Sequence, residues 1–131
     1  PTGTAVCNVW TGTNCATPGE VSPGGTSATA LTWAADKNTL TWQAPAEAVT
    51  GYRLYRGTPA DLPNLLTSAT DSCTRADQTG LSFDLNGVND TPAAGTFIWF
   101  LVTGYNGPWE GSAGNATQGA RVIDSSGVCT P

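Results

Sequence analysis

Histidine and methionine are absent from this chain, and Lys37 is its only lysine. Without imidazole, general acid–base chemistry would rest on paired carboxylates in a cleft, and the ten acidic residues are scattered over turn-like stretches. No nucleophile elbow or metal triad occurs, so an enzyme is not expected and no catalytic residue or cofactor is assigned. Charged residues make up 11% of the sequence, against roughly 25% in ordinary soluble domains. The net charge of -5 leaves no basic stripe for a phosphate backbone, which argues against nucleic acid as a partner. No apolar run approaches the roughly 20 residues of a membrane helix. The chain starts at Pro1 with no leader, so a processed or excised form is expected.

What is present is turn chemistry, threonine, and four cysteines. Their spacing contains no close metal-binding pair, so disulfides and an oxidising, extracellular or cell-surface location are expected. Of the three pairings, Cys7 with Cys15 and Cys73 with Cys129 is favoured, one local and one long. The long closure is worth about 4 kcal/mol in the chain-entropy model and the short one about 2.5 kcal/mol. An intermolecular bridge is the alternative.

Residues 1–27 hold few large apolar side chains and end in Pro18-Gly19 and Pro23-Gly24-Gly25, a tail and linker. Residues 28–131 alternate short β-like runs with breaks, which predicts an all-β domain. The expected strands are 30–34, 39–43, 51–56, 65–68, 81–84, 96–105 and 119–123, with room for one short helical turn at 59–66. Alternation assigns faces: Leu40 and Trp42 inward, then Tyr52 and Leu54, with Phe83 and Val122 as further core candidates. Arg53 and Tyr55 then point outward.

The run Phe97-Ile-Trp-Phe-Leu-Val102 is apolar on both faces of a strand. One face belongs to the core, and the other requires a separate cover.

Four segments resemble the fibronectin type III family: TLTWQAP at 39–45, GYRLYRG at 51–57, PAAGTFIWFLVTGYN at 92–106, and WEGSAG at 109–114. The resemblance covers about residues 28–129. It implies a seven-stranded antiparallel Greek-key sandwich of the fibronectin type III/immunoglobulin-like kind, with A, B and E in one sheet and C, C′, F and G in the other. The sequence departs from the family at Ile98, which stands where the corner tyrosine is usual, and Arg56-Gly57 continues into Thr58 rather than an integrin-type aspartate.

In that register Ile98, Phe100 and Val102 join the core. Phe97, Trp99, Leu101 and Tyr55 form an outer apolar patch of the sort that marks contact surfaces. Three covers are open: the chain's own tail through Val6, Val9 and Trp10, the same segment of another copy, or a ligand. The leading expectation is an extracellular structural protein that associates with copies of itself, a filament subunit, through this tail and this sheet face. The alternative is a non-catalytic binding or spacer module of a larger secreted or surface protein, with a protein or glycan partner.

Smaller signals complete the reading. Asp84, Asn86, Asn89 and Asp90 crowd one loop and are weak calcium candidates, although the ordinary calcium-loop pattern is not met and these are also turn residues. Asn115-Ala-Thr117 fits the acceptor pattern for an N-linked glycan, as does Asn89-Asp-Thr91, which is disfavoured by the following proline. Trp99, Tyr55 and Trp109, edged by Arg53 and Glu110, are the candidate rings for a sugar platform, but the patch is mainly hydrocarbon and suits a protein contact better.

Overall fold

The computed structural model describes residues 17–22 and 30–131. Within them the chain is mostly β, with one short 3-10 helix. Strands β1 (Thr32–Trp33), β2 (Thr39–Thr41) and β5 (Ser82–Asp84) form a small antiparallel sheet in the order β1-β2-β5. The larger sheet, which curls into a half-barrel, has the order β10-β4-β3-β6-β7. Its members are β3 (Gly51–Gly57), β4 (Ser72–Gln78), β6 (Trp99–Asn106), β7 (Trp109–Glu110) and β10 (Ser125–Val128). A two-stranded ribbon, β8 (Asn115–Ala116) with β9 (Gly119–Ala120), stands apart.

The coarse expectation of a β fold holds, and the finer one needs correction. The large sheet is mixed, because β10 runs parallel to β4. The run 65–68 is not a strand. Pro59 and Pro63 lack the N–H groups a ladder needs, and Pro59–Leu66 winds instead into the 3-10 helix. Thr58 starts that helix by donating its backbone N–H (2.8 Å) and hydroxyl (2.7 Å) to the Asp61 carboxylate. Residues 96–98 precede β6 rather than opening it, since a turn at Ala93–Thr96 with Gly95 at φ 82° occupies the approach. Of 119–123, only β9 is strand.

Local chemistry explains the β1–β2 hairpin. Asp36 Oδ1 accepts the N–H groups of Asn38 and Thr39, each at 2.9 Å, and Oδ2 accepts the Thr39 hydroxyl at 2.7 Å. Those bonds, the hydroxyl first, hold the Asp36 carboxyl below its ordinary value.

Between the two sheets lies one core of Val21, Leu40, Trp42, Tyr52, Leu54 and Val102, with Leu31, Val49, Ala76, Phe83, Leu85 and Phe100 packed against it. Trp42 meets Tyr52 edge to face at 5.9 Å. Val122 is not part of this core and is exposed. The β3–β6 register runs from Gly51 opposite Tyr105 to Gly57 opposite Trp99, so Leu54 faces Val102 across the ladder. At each end a glycine is roofed by its partner's ring. A Cβ on Gly51 would stand 2.3 Å from the Tyr105 hydroxyl, and one on Gly57 would stand 2.1 Å from Trp99. Cross-strand aromatic cover of this kind replaces the packing that a glycine cannot supply.

β4 carries a bulge at Arg75, where Leu54 pairs with Ala76 but Tyr55 pairs with Thr74. A disulfide joins Cys73 to Cys129, and the Cys129 N–H donates to Thr74 C=O at 2.9 Å. This bridge accords with an oxidising compartment. No helix among the described residues is long and apolar enough to cross a membrane.

Candidate functional site

The face of the large sheet that points away from the core is covered in part by the chain itself. Tyr55, expected on an open patch, is only 3% exposed. Its hydroxyl donates to Glu110 Oε1, which also accepts from the Thr103 hydroxyl at 2.6 Å. Arg53 reaches the other oxygen of Glu110 at 2.8 Å, contacts Asp77 at 3.4 Å, and lies 4.6 Å from the centre of the Tyr105 ring. Tyr105 in turn donates to Asp77 at 2.5 Å. Burial, then the bond to Glu110 and its negative charge, push the Tyr55 phenol well above its ordinary range. The Tyr105 phenol is raised too, first by its bond to Asp77.

Trp99 is half-buried over Gly57, and its indole N–H donates to Thr58 C=O at 2.8 Å. Leu101 is half-buried, whereas Phe97, in the approach to β6, is 50% exposed. These four side chains therefore do not form one open surface. Cover comes from residues 111–124 and the 3-10 helix: the Val122 N–H donates to Leu65 C=O at 2.7 Å, and Asp71 and Asp124 are joined by two bonds. Thr103, Glu110, Ala113, Arg121 and Ile123 line one small cavity of about 220 Å³ beneath this stretch. The tail candidates Val6, Val9 and Trp10, and the pair Cys7 and Cys15, lie outside the described residues.

A different constellation stands where the two sheets open. Trp33 of β1, 50% exposed, and Phe97 flank a cavity of about 340 Å³ whose walls include Leu85, Val88, Ile98 and Phe100. Trp33 is braced edge-on against Phe100, ring centres 6.1 Å apart at 87°. Polar groups at the same cavity are Lys37, Asn38, Asp90 and Thr91. Compared with models of protein families, with curated proteins and with solved structures, the chain matches none. Function has to be argued from this geometry.

Asp90 anchors the cavity. Its side chain is 4% exposed, and Oδ1 takes Arg75 at 2.5 Å, with Arg56 Nε 3.0 Å away but off the hydrogen-bonding line. Its Oδ2 has no hydrogen-bond partner. This is the end of the calcium-candidate loop, and the carboxylate is already held by cations. Asp84 Oδ1 accepts the Asn86 N–H in a local turn, and Asn89 is exposed. Among the described residues no three His, Cys, Asp or Glu side chains gather to hold a metal. Trp109 is partly exposed in β7, and Asn115 is exposed in β8, on a ribbon open to solvent.

Sequence reasoning passed over this opening. Trp33 and Phe97 are 64 positions apart by their numbers, and Trp33 sits in a strand too short to show alternation. The one available signal was an aromatic residue beside a tight Asp-Lys-Asn turn.

Proposed function

We propose that this chain is a non-enzymatic extracellular binding module of fibronectin type III-like architecture, which engages a partner at the aromatic opening between its two sheets. The strand orders β1-β2-β5 and β4-β3-β6-β7 support the architecture, because they coincide with A-B-E and C′-C-F-G; β10 is then an addition at the C′ edge. The observation that carries the function is a contrast. The outer face has its tyrosines, Thr103 and carboxylates committed to one another, while Trp33 and Phe97 stand half exposed beside a cavity of the size that small ligands use. Surface aromatics at a concave opening are the usual anchors of recognition. The commitment of Glu110 and Asp77 to arginine and hydroxyl partners also speaks for a non-catalytic role.

The second reading is a self-associating structural subunit, a filament in which the tail, with Val6, Val9 and Trp10, docks on a neighbouring copy. The same exposed Trp33 and Phe97 favour it, as an apolar receptor for such a tail. Light scattering and electron microscopy of the full chain and of a form lacking residues 1–27 separate the two. A monomer in both forms is expected for the binding module. Polymers lost on removing the tail would establish the filament reading.

A further inference from the structure

We propose that the opening between β1, the 85–92 loop and the approach to β6 is a saccharide site that takes a pyranose ring. This rests on the binding-module reading and names the ligand class. Three observations lead to it.

The first is the pairing of rings with a concavity. Trp33 and Phe97 are half exposed at one cavity of about 340 Å³, within the range of small-molecule sites. A pyranose has a flat C–H face that packs on an aromatic ring and hides apolar surface from water, while its edge keeps its hydroxyls. The edge-on contact with Phe100 braces Trp33, so little side-chain freedom is lost on binding.

The second is the state of the polar groups. Each hydroxyl of a sugar both donates and accepts, so its site needs donors and acceptors together. Lys37 supplies an ammonium donor, Asn38 an amide that does both, and Thr91 a hydroxyl that does both. Among the described residues none of these three side chains has a hydrogen-bond or ion-pair partner, although the backbone N–H of Asn38 is used by Asp36. On the outer sheet face, by contrast, the equivalent groups of Tyr55, Thr103 and Glu110 are satisfied internally.

The third is Asp90. A side chain 4% exposed lines the cavity with one carboxylate oxygen unpartnered, which costs free energy unless something donates to it. Oδ2 has less than 1 Å² of accessible surface, so a sugar hydroxyl becomes that donor where the side chains over it give way on binding. Arg75 and Arg56 behind the other oxygen hold the Asp90 carboxylate in place. A purely apolar occupant, such as the side chains of a protein tail, would displace water from the three exposed rim groups without replacing its hydrogen bonds, which is why a polyhydroxyl ligand fits better.

The test is a titration of the full ¹⁵N-labelled chain with xylohexaose, cellohexaose, chitohexaose and oligogalacturonate, followed by amide chemical shifts. At least one is expected to produce saturable shifts centred on Trp33, Lys37, Asn38, Asp90 and Phe97. Trp33→Ala, and separately Thr91→Ala, should weaken that binding about tenfold while the remaining spectrum stays folded. Trp109→Ala should leave it unchanged. Lack of saturable shifts with all four sugars at millimolar concentration overturns the proposal, as does binding that Trp109→Ala abolishes and Trp33→Ala spares. If instead these amides broaden as protein concentration rises without sugar, the occupant is a second copy: the saccharide assignment falls and the opening remains a contact site. Sugar shifts that avoid the opening altogether would leave a binding module with the wrong site.

Discussion

At the scale of single residues, burial in this molecule depends on what lies across the ladder. Leu40, Trp42, Tyr52 and Leu54 were legible because each alternates with polar neighbours in its own strand, and all four are buried. Tyr55 was not legible. It is buried by closing a polar network with Glu110, a partner 55 residues distant, and no local pattern announces that. Removing its hydroxyl in Tyr55→Phe leaves a Glu110 oxygen short of a donor and should cost about 1–3 kcal/mol in chemical denaturation. The same phenol sets a pH limit. Its proton is held more tightly in the fold than in the unfolded chain, so its stabilising effect is complete below about pH 10 and drains as pH rises past that value. Melting temperature should therefore be insensitive to this group at neutral pH and fall in alkali, with a shallower fall in Tyr55→Phe. Gly57 tests the glycine roof. Gly57→Ala drives a methyl into the Trp99 ring and should destabilise by about 1–3 kcal/mol, most simply read from a urea midpoint. Trp99→Asp should likewise unfold the sheet edge rather than merely block an external contact, because it strips the roof and the bond to Thr58 together.

At the scale of elements, the strands that carry greasy alternation were readable and the polar one was not. β4 reads Ser-Cys-Thr-Arg-Ala-Asp-Gln, with no apolar period, yet it sits inside the sheet between β3 and β10. Its place is fixed by long-range pairing with Gly51–Gly57 and by the Cys73–Cys129 bridge, and only the cysteine left a mark in the sequence. The proposed run at 65–68 failed for a local reason, since the 3-10 helix that carries Pro59 and Pro63 ahead of it extends through its two leucines. The opening at Trp33 and Phe97 was invisible because it is assembled from a two-residue strand and two loops. β10 offers a test at this scale. It is four residues long, mostly exposed, and its ladder shifts register between Ser125 and Val128, so the disulfide is its main restraint. Replacing Cys73 and Cys129 by serine should cost about 2–5 kcal/mol. Amide exchange at 125–128 should rise sharply, while Leu54 and Val102 amides slow to exchange only follow the global loss.

Over the whole molecule, two uneven sheets share one core, and the large sheet's outer face differs from the opening between the sheets. The outer face is partly covered by residues 111–124 and the 3-10 helix, and its polar groups are paired, whereas the opening presents half-exposed rings. Association, if tail-driven, would then be lost with Trp33→Ala as well as with removal of residues 1–27, and sedimentation of both forms checks this. The Cys73–Cys129 bridge also has a mechanical consequence. A pull applied beyond Cys129 enters the large sheet at Cys73, directly through covalent bonds, and bypasses the chain between the two cysteines, which lie 56 positions apart. Everything from β5 through β10 is thereby shielded from load. Under tension the molecule can pay out only the 72 residues that precede Cys73, while the looped block behind them carries no load.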